Sequence, residues 1–192
     1  MKNIIILIVL LNLSFGNHPI LDSISSKILA PGVSYLELEI IQMQYDKEWK
    51  ESVTIEVVDS QQFIFSSPKQ TIKIHGNLIY TFNSKAKQVV IDQIPTDESS
   101  IFDLLRGKFD GIQIKKIEAD SELTLIEFII ESMNIPGMIW INTDSFLPKR
   151  IRLQYDEINH FDVQVISFKN QLKKSIYNNY STPGWEIIDL RN

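Results

Sequence analysis

The chain has 192 residues, 44% of them hydrophobic and 22% charged, the composition of one globular domain large enough to bury a core. Lysine and arginine total 19 against 24 acids, and a mildly acidic chain without clustered cations lacks the electrostatic footprint of a nucleic-acid binder. Cysteine is absent, which excludes disulfides, thiolate metal sites, cysteine nucleophiles and lipid attachment at an N-terminal cysteine.

Residues 1–16 have the form of a secretory signal peptide. Lys2 supplies the positive end, Ile4 to Leu13 is apolar but for Asn12, and Ser14-Phe15-Gly16 places small residues three and one before a cut ahead of Asn17. The apolar run is shorter than the ~20 residues that span a bilayer. The expectation is an exported chain whose residues 17–192 form a single domain.

An amphipathic helix is predicted over about Pro19–Ala30, where Ile20, Ile24 and Ile28 repeat every four residues and Leu21 and Leu29 widen the stripe, with Pro31-Gly32 stopping it. Strands follow. In Ser34–Gln44, Leu36, Leu38 and Ile40 share one face while Glu37 and Glu39 share the other. In Glu48–Val58, Trp49, Val53, Ile55 and Val57 alternate with Lys50, Ser52, Thr54 and Glu56. A period of two marks an antiparallel sheet with one wet face. Gln62–Ser66, Thr71–His75, Leu78–Phe82 and Gln88–Asp92 continue it, separated by the turn formers Ser67-Pro68, Gly76-Asn77 and Asn83-Ser84.

A helix is inserted at this point. Pro95-Thr96-Asp97-Glu98 reads as its start, with Thr96 at the N-cap. Ile101, Leu104 and Leu105 form its stripe with Phe102 beside them, Arg106 sits in the last turn, and Gly107 suits C′. Strands resume at Gly111–Glu118, Glu122–Glu131, Gly137–Thr143, Lys149–Tyr155, Phe161–Phe168 and Lys174–Tyr180, with turns at Asn134–Gly137 and Asp144–Pro148. Some twelve short strands in this rhythm belong to a sandwich or barrel.

Chemistry-bearing motifs are few. No Gly-x-Ser-x-Gly elbow, His-Glu-x-x-His or phosphate-cradling glycine loop occurs. His18, His75 and His160 are too dispersed for a zinc motif, and His75 and His160 read as turn residues. Asp120 with Glu122, or Glu127 with Glu131, could pair as glycosidase carboxylates, but on the wet face of a strand such pairs are solvated charges. The runs Lys115-Lys116 and Lys149-Arg150-Ile151-Arg152 read likewise. The expectation is a chain with no catalytic residues, no metal and no cofactor. What stands out is apolar surface: Phe63 and Phe65 share a face of their strand, as do Leu78, Tyr80 and Phe82, and the inserted helix adds four more large side chains. Either this is a packed core under a covering helix, or it is a curved sheet too wide to fill itself, plugged by two short helices that a lipid could displace.

Several stretches, in this order, resemble the LolA family of periplasmic outer-membrane lipoprotein carriers. Ile74-His75-Gly76-Asn77-Leu78-Ile79-Tyr80-Thr81-Phe82-Asn83 resembles that family's strand–Asp-Gly–strand hairpin with its aromatic pair. Ser100 to Gly107 resembles the apolar lid helix, and Trp140-Ile141-Asn142 through Leu147-Pro148-Lys149-Arg150 resembles a later hairpin. Thr182-Pro183-Gly184-Trp185-Glu186-Ile187-Ile188-Asp189 resembles the closing segment, and Leu36, Leu38, Ile40 and Gln42 the first strand. The resemblance covers about Leu21 to Asp189.

It implies a mainly β fold: an unclosed antiparallel β-barrel, or half-barrel, covered by a helical lid. It implies a soluble periplasmic chaperone that carries the acyl chains of lipoproteins from the inner to the outer membrane. Cargo would come from an inner-membrane LolCDE-type ABC transporter and pass to a LolB-type outer-membrane receptor. The acyl cavity and lid would be lined by Leu36, Leu38, Ile40, Phe63, Phe65, Tyr80, Phe82, Ile101, Phe102, Leu104 and Leu105. The alternative is a periplasmic lipid- or polymer-binding sensor module on the same fold. One departure bears on the lid. The family's third strand carries an arginine thought to latch the helix, whereas this chain reads Phe63-Ile64-Phe65. Ile64 has no side-chain donor, so that latch does not carry over and a more readily opened lid is expected.

Overall fold

In the computed structural model the described residues are 18–94, 101–172 and 182–191. Two short helices lie among twelve strands. Helix α1 spans Pro19–Ile28, followed by β1 (Val33–Gln44), β2 (Lys47–Val57), β3 (Gln62–Ser66), β4 (Thr71–His75), β5 (Leu78–Asn83) and β6 (Gln88–Gln93). Helix α2 (Ile101–Leu105) precedes β7 (Ile112–Ala119), β8 (Leu123–Ile130), β9 (Ile135–Asn142), β10 (Pro148–Gln154) and β11 (His160–Leu172), and β12 (Glu186–Asp189) closes the order. The expected signal segment, the Thr96 cap and the strand expected over Lys174–Tyr180 lie outside the described residues.

The strands form one sheet, ordered β12-β6-β5-β4-β3-β2-β1-β11-β10-β9-β8-β7. Every neighbouring pair is antiparallel except β12 with β6. Among the described residues β7 and β12 do not pair with each other, so the sheet is not closed. It is a mainly antiparallel β fold with short helices against one face.

Local chemistry accounts for the element ends. His18 caps α1, its Nδ1 accepting from the Ile20 N–H at 3.3 Å, and Pro19 takes the first turn where its missing N–H is harmless. The helix ends at Ile28, two residues before the expected Ala30: Leu29 still makes the helical bond to Ser25 O at 2.8 Å, but its backbone, at φ −93° and ψ 16°, has left helical geometry ahead of Pro31-Gly32. Its last carbonyls are tied to the sheet: Ser34 Oγ donates to Ile28 O at 2.6 Å, and Asn170 Nδ2 donates to Lys27 O at 3.4 Å. Helix α2 ends in a Schellman turn, with Gly107 N–H to Leu104 O at 3.1 Å and Lys108 N–H to Asp103 O at 2.8 Å. Gly107 holds the C′ position at φ +76°, a conformation that suits glycine.

Two expectations about the elements are corrected. Asn134–Gly137 is not wholly a turn, because Ile135, Pro136 and Gly137 pair with Ile130, Ile129 and Phe128 of β8. Pro136 lies one residue beyond the end of the β10 ladder at Gly137, where a missing N–H breaks no pairing. A Cβ on Gly137 would lie 2.3 Å from the Phe128 ring, so the glycine makes room for an aromatic side chain laid across the strand. The second correction is β12: its four residues pair in parallel with Gln88–Ile91, a strand that alternation alone did not mark.

Candidate functional site

Side chains directly opposite each other in neighbouring strands share a face of the sheet. Leu36 stands opposite Ile55, which stands opposite Phe65; Leu38 stands between Val53 and Val165. Ile40 faces Val163, and from there the row runs through Ile151 and Ile139 to Ile126. This inner face is almost wholly apolar, and both helices pack on it. Leu21, Ile24 and Ile28 of α1 and Leu104 and Leu105 of α2 are each at most 2% exposed, and they belong to the same buried cluster as Leu36, Leu38, Phe63 and Phe65. Ile40 and Ile101 pack at its margin. Eight of the eleven residues expected at the site are thus brought together. The side chain of Phe102 lies outside the described residues.

Tyr80 and Phe82 are not brought there. Phe63 stands opposite Ile74, which stands opposite Ile79; Phe65 stands opposite Ile72, which stands opposite Thr81. The inner positions of β5 are therefore Ile79 and Thr81, and Tyr80 and Phe82 face the other way. The physical reason is the two-residue hairpin turn Gly76-Asn77, which pairs His75 with Leu78 and fixes the parity of every side chain beyond it. Phe82 instead stands opposite Val89, and both are buried on the outer face. Position 64 follows the same parity. Ile64 stands opposite Lys73, which stands opposite Tyr80, so a side chain here points away from the helices.

Residues that sequence reasoning left out complete the inner face. Ile126, Phe128, Ile139, Ile151 and Val163 extend it across β8–β11, and Phe109 lies in the same cluster at 4% exposure. The alternation of those strands was visible in the sequence, but nothing there tied them to Phe63 and Phe65.

A charged pair is buried at the end of α2. Arg106, the residue after α2, is 3% exposed, and its Nε and Nη2 donate to Asp103 Oδ1 at 3.0 and 2.5 Å. Lys108 Nζ stands 4.0 Å from the same oxygen. Gly107 packs on α1, its α-carbon so close that an added Cβ would lie 3.3 Å from Ser25 Cα. Among the described residues, then, α2 is joined to its neighbour helix through Gly107, while position 64 of β3 faces away from both helices.

The carboxylates weighed as catalytic pairs fall elsewhere. Asp120 caps a tight turn, accepting from the N–H groups of Leu123 and Glu122, and these bonds hold its carboxyl below the usual range. Glu127 stands opposite Lys116 on the outer face. Among the described residues no three His, Asp or Glu side chains converge as metal ligands.

No family model and no curated protein matches the chain. Solved structures do. An uncharacterized conserved protein from Thermus thermophilus is similar over 89% of this chain and 97% of its own, with a TM-score of 0.60 at 13% identity. The two share a fold. The similar structures include LolA-superfamily members. One is a LolA superfamily protein from Nitrosomonas europaea, similar over 83% of this chain and 96% of its own, with a TM-score of 0.48 at 11% identity. A putative outer membrane lipoprotein-sorting protein domain from Vibrio parahaemolyticus is similar over 83% and 95%, with a TM-score of 0.49 at 9% identity. At these identities the likeness is one of fold alone.

Proposed function

We propose that this chain is a non-enzymatic carrier of acyl chains: a periplasmic chaperone that takes acylated lipoproteins from an inner-membrane LolCDE-type transporter and releases them to the outer membrane, through a LolB-type receptor where one exists. The observation that carries the reading is that the apolar inner face of an unclosed sheet is covered by two short helices and not by a second sheet. The helices are held differently. Helix α1 is hydrogen-bonded to the sheet through Ser34 and Asn170, whereas α2 meets it through the buried Leu104 and Leu105 and reaches α1 through Gly107. In this reading the displaceable plug is α2, the shorter helix, which meets the cluster through Leu104 and Leu105.

The energetics favour such an arrangement. Burying acyl chain yields about 0.8 kcal/mol per methylene, so a long chain in water costs on the order of 10 kcal/mol and needs a cover to cross an aqueous space. If the chain replaces Leu104 and Leu105 against Phe63 and Phe65, one apolar contact is exchanged for another. Net affinity then stays moderate, and release needs no nucleotide in this protein.

Two measurements test this. Protein purified from the periplasm of its host should carry lipoprotein or lipid, identified by mass spectrometry. The emptied protein should take up a naphthylamine dye that an acyl chain displaces. Leu104→Ala should lower the melting temperature by the equivalent of about 2–4 kcal/mol, the usual cost of a core truncation, and should bind the dye more tightly because less plug must be displaced. Dye binding that is absent in the wild type, or unchanged by Leu104→Ala, would overturn the reading. Retained lipid without transfer to acceptor membranes would point to the sensor alternative.

A further inference from the structure

Arg106 is 3% exposed at the end of α2, between the core residue Leu105 and Gly107, which packs on α1. One oxygen of Asp103 takes both Nε and Nη2. Nη1 has no hydrogen-bond partner among the described residues. A buried donor without an acceptor is costly and uncommon in a folded chain, and a guanidinium presents its donors in a rigid fork suited to a carboxylate or carbonyl oxygen.

We propose that Arg106 is the polar anchor of the acyl site, its Nη1 donating to the carboxylate or carbonyl oxygen at the head of a bound acyl chain. This rests on the acyl-carrier reading and adds to it a preference for a ligand bearing an oxygen at one end of its hydrocarbon. The chain's methylenes replace Leu104 and Leu105 on the inner face, and the head comes to rest beside the next residue along the lid. A purely greasy site would bind any hydrocarbon of the right length; this one discriminates by the head.

The experiment compares three probes with the same twelve-carbon chain by displacement of the naphthylamine dye: laurate, methyl laurate and dodecyltrimethylammonium, which has no acyl oxygen. Wild-type protein should bind laurate about tenfold more tightly than dodecyltrimethylammonium, the scale of one hydrogen bond to a charged group. Arg106→Met should abolish that preference, read as the ratio of the two affinities so that any change in the opening of α2 cancels, and Arg106→Lys should keep part of it. Because Arg106→Met strands the Asp103 carboxylate, the double variant Asp103→Asn/Arg106→Met is measured in parallel and should behave the same. Loss confined to laurate would identify free carboxylates as the head, and loss for both laurate and methyl laurate would extend it to ester carbonyls. Folded variants that bind laurate as tightly as wild type would overturn the anchor while the acyl site stands. A wild-type protein that binds none of the three probes would instead sink the carrier reading itself.

Discussion

At the scale of single residues, the outer face holds a buried carboxylate shared by two arginines. Asp162 is 1% exposed and accepts from Nε and Nη2 of both Arg150 and Arg152, and the Arg150 guanidinium lies 4.8 Å from the Trp140 ring centroid. Burial pushes the Asp162 carboxyl upward, but the hydrogen bonds and charges of the two arginines outweigh it and leave it below the ordinary value. A carboxyl depressed in the folded state stabilises above its unfolded pKa of about 3.9, and that stabilisation is lost as pH falls through the folded value. Asp162→Asn should therefore lower stability near neutrality by about 2 kcal/mol. The figure is modest because the two arginines keep about a third of their surface in water. Urea midpoints measured between about pH 7 and pH 2 should show the gap between wild type and variant closing as the solution becomes more acid. A gap constant with pH would assign the loss to packing. The run Lys149–Arg152 looked like solvated charge in the sequence; its acid partner lies ten residues on, across a hairpin whose register the sequence did not specify.

At the scale of elements, the central question is which face each strand turns to the helices. Phe65 is inner and Phe82 outer, yet both are buried, at 7% and 6% exposure. Truncating either to alanine should cost about 3–5 kcal/mol. Only Phe65→Ala should also change the affinity for an acyl-displaceable dye, because of the two only Phe65 belongs to the inner cluster with the leucines of α2. Equal changes in dye affinity for the two variants would mean that the faces do not divide binding from packing. The strands themselves were legible: β3 and β4 begin and end where alternation and the Ser67-Pro68 and Gly76-Asn77 turns place them. The joint placement of Tyr80 and Phe82 with Phe63 and Phe65 was not, since parity across three strands depends on the length of each turn. Pro136-Gly137 misled for a related reason. Both residues are turn formers taken alone, and the need for a glycine becomes visible only once Phe128 lies opposite. Arg106 was legible as a helix-end residue, but its burial was not, and the packing of the next residue, Gly107, on α1 joins segments some eighty residues apart.

At the scale of the whole molecule, an unclosed twelve-stranded sheet has two edges, and each invites pairing with another copy. On the β7 side the edge is broken by an irregularity between Ile114 and Lys116 and bears Lys115, Lys116 and Glu118. On the other side stands β12, only four residues long and set in parallel on β6, with Glu186 and Asp189 at its ends. Arg191 binds back to Asp189 and draws that carboxyl down to about 2. Beneath this cap lies Val89-Val90-Ile91, an apolar run with strong β propensity. Ending the chain before Glu186 should leave that run as a bare edge while the inner cluster, in which β12 has no member, stays filled. The truncated protein should then keep its dye binding but self-associate, eluting above monomer size in gel filtration and increasingly so with concentration. Introducing Val90→Lys into the truncated chain should restore the monomer, because a charge on an edge strand opposes pairing with a second copy. A truncated chain that stays monomeric but loses dye binding would show instead that β12 braces the inner face through the sheet, making the edge part of the binding apparatus and not only its guard.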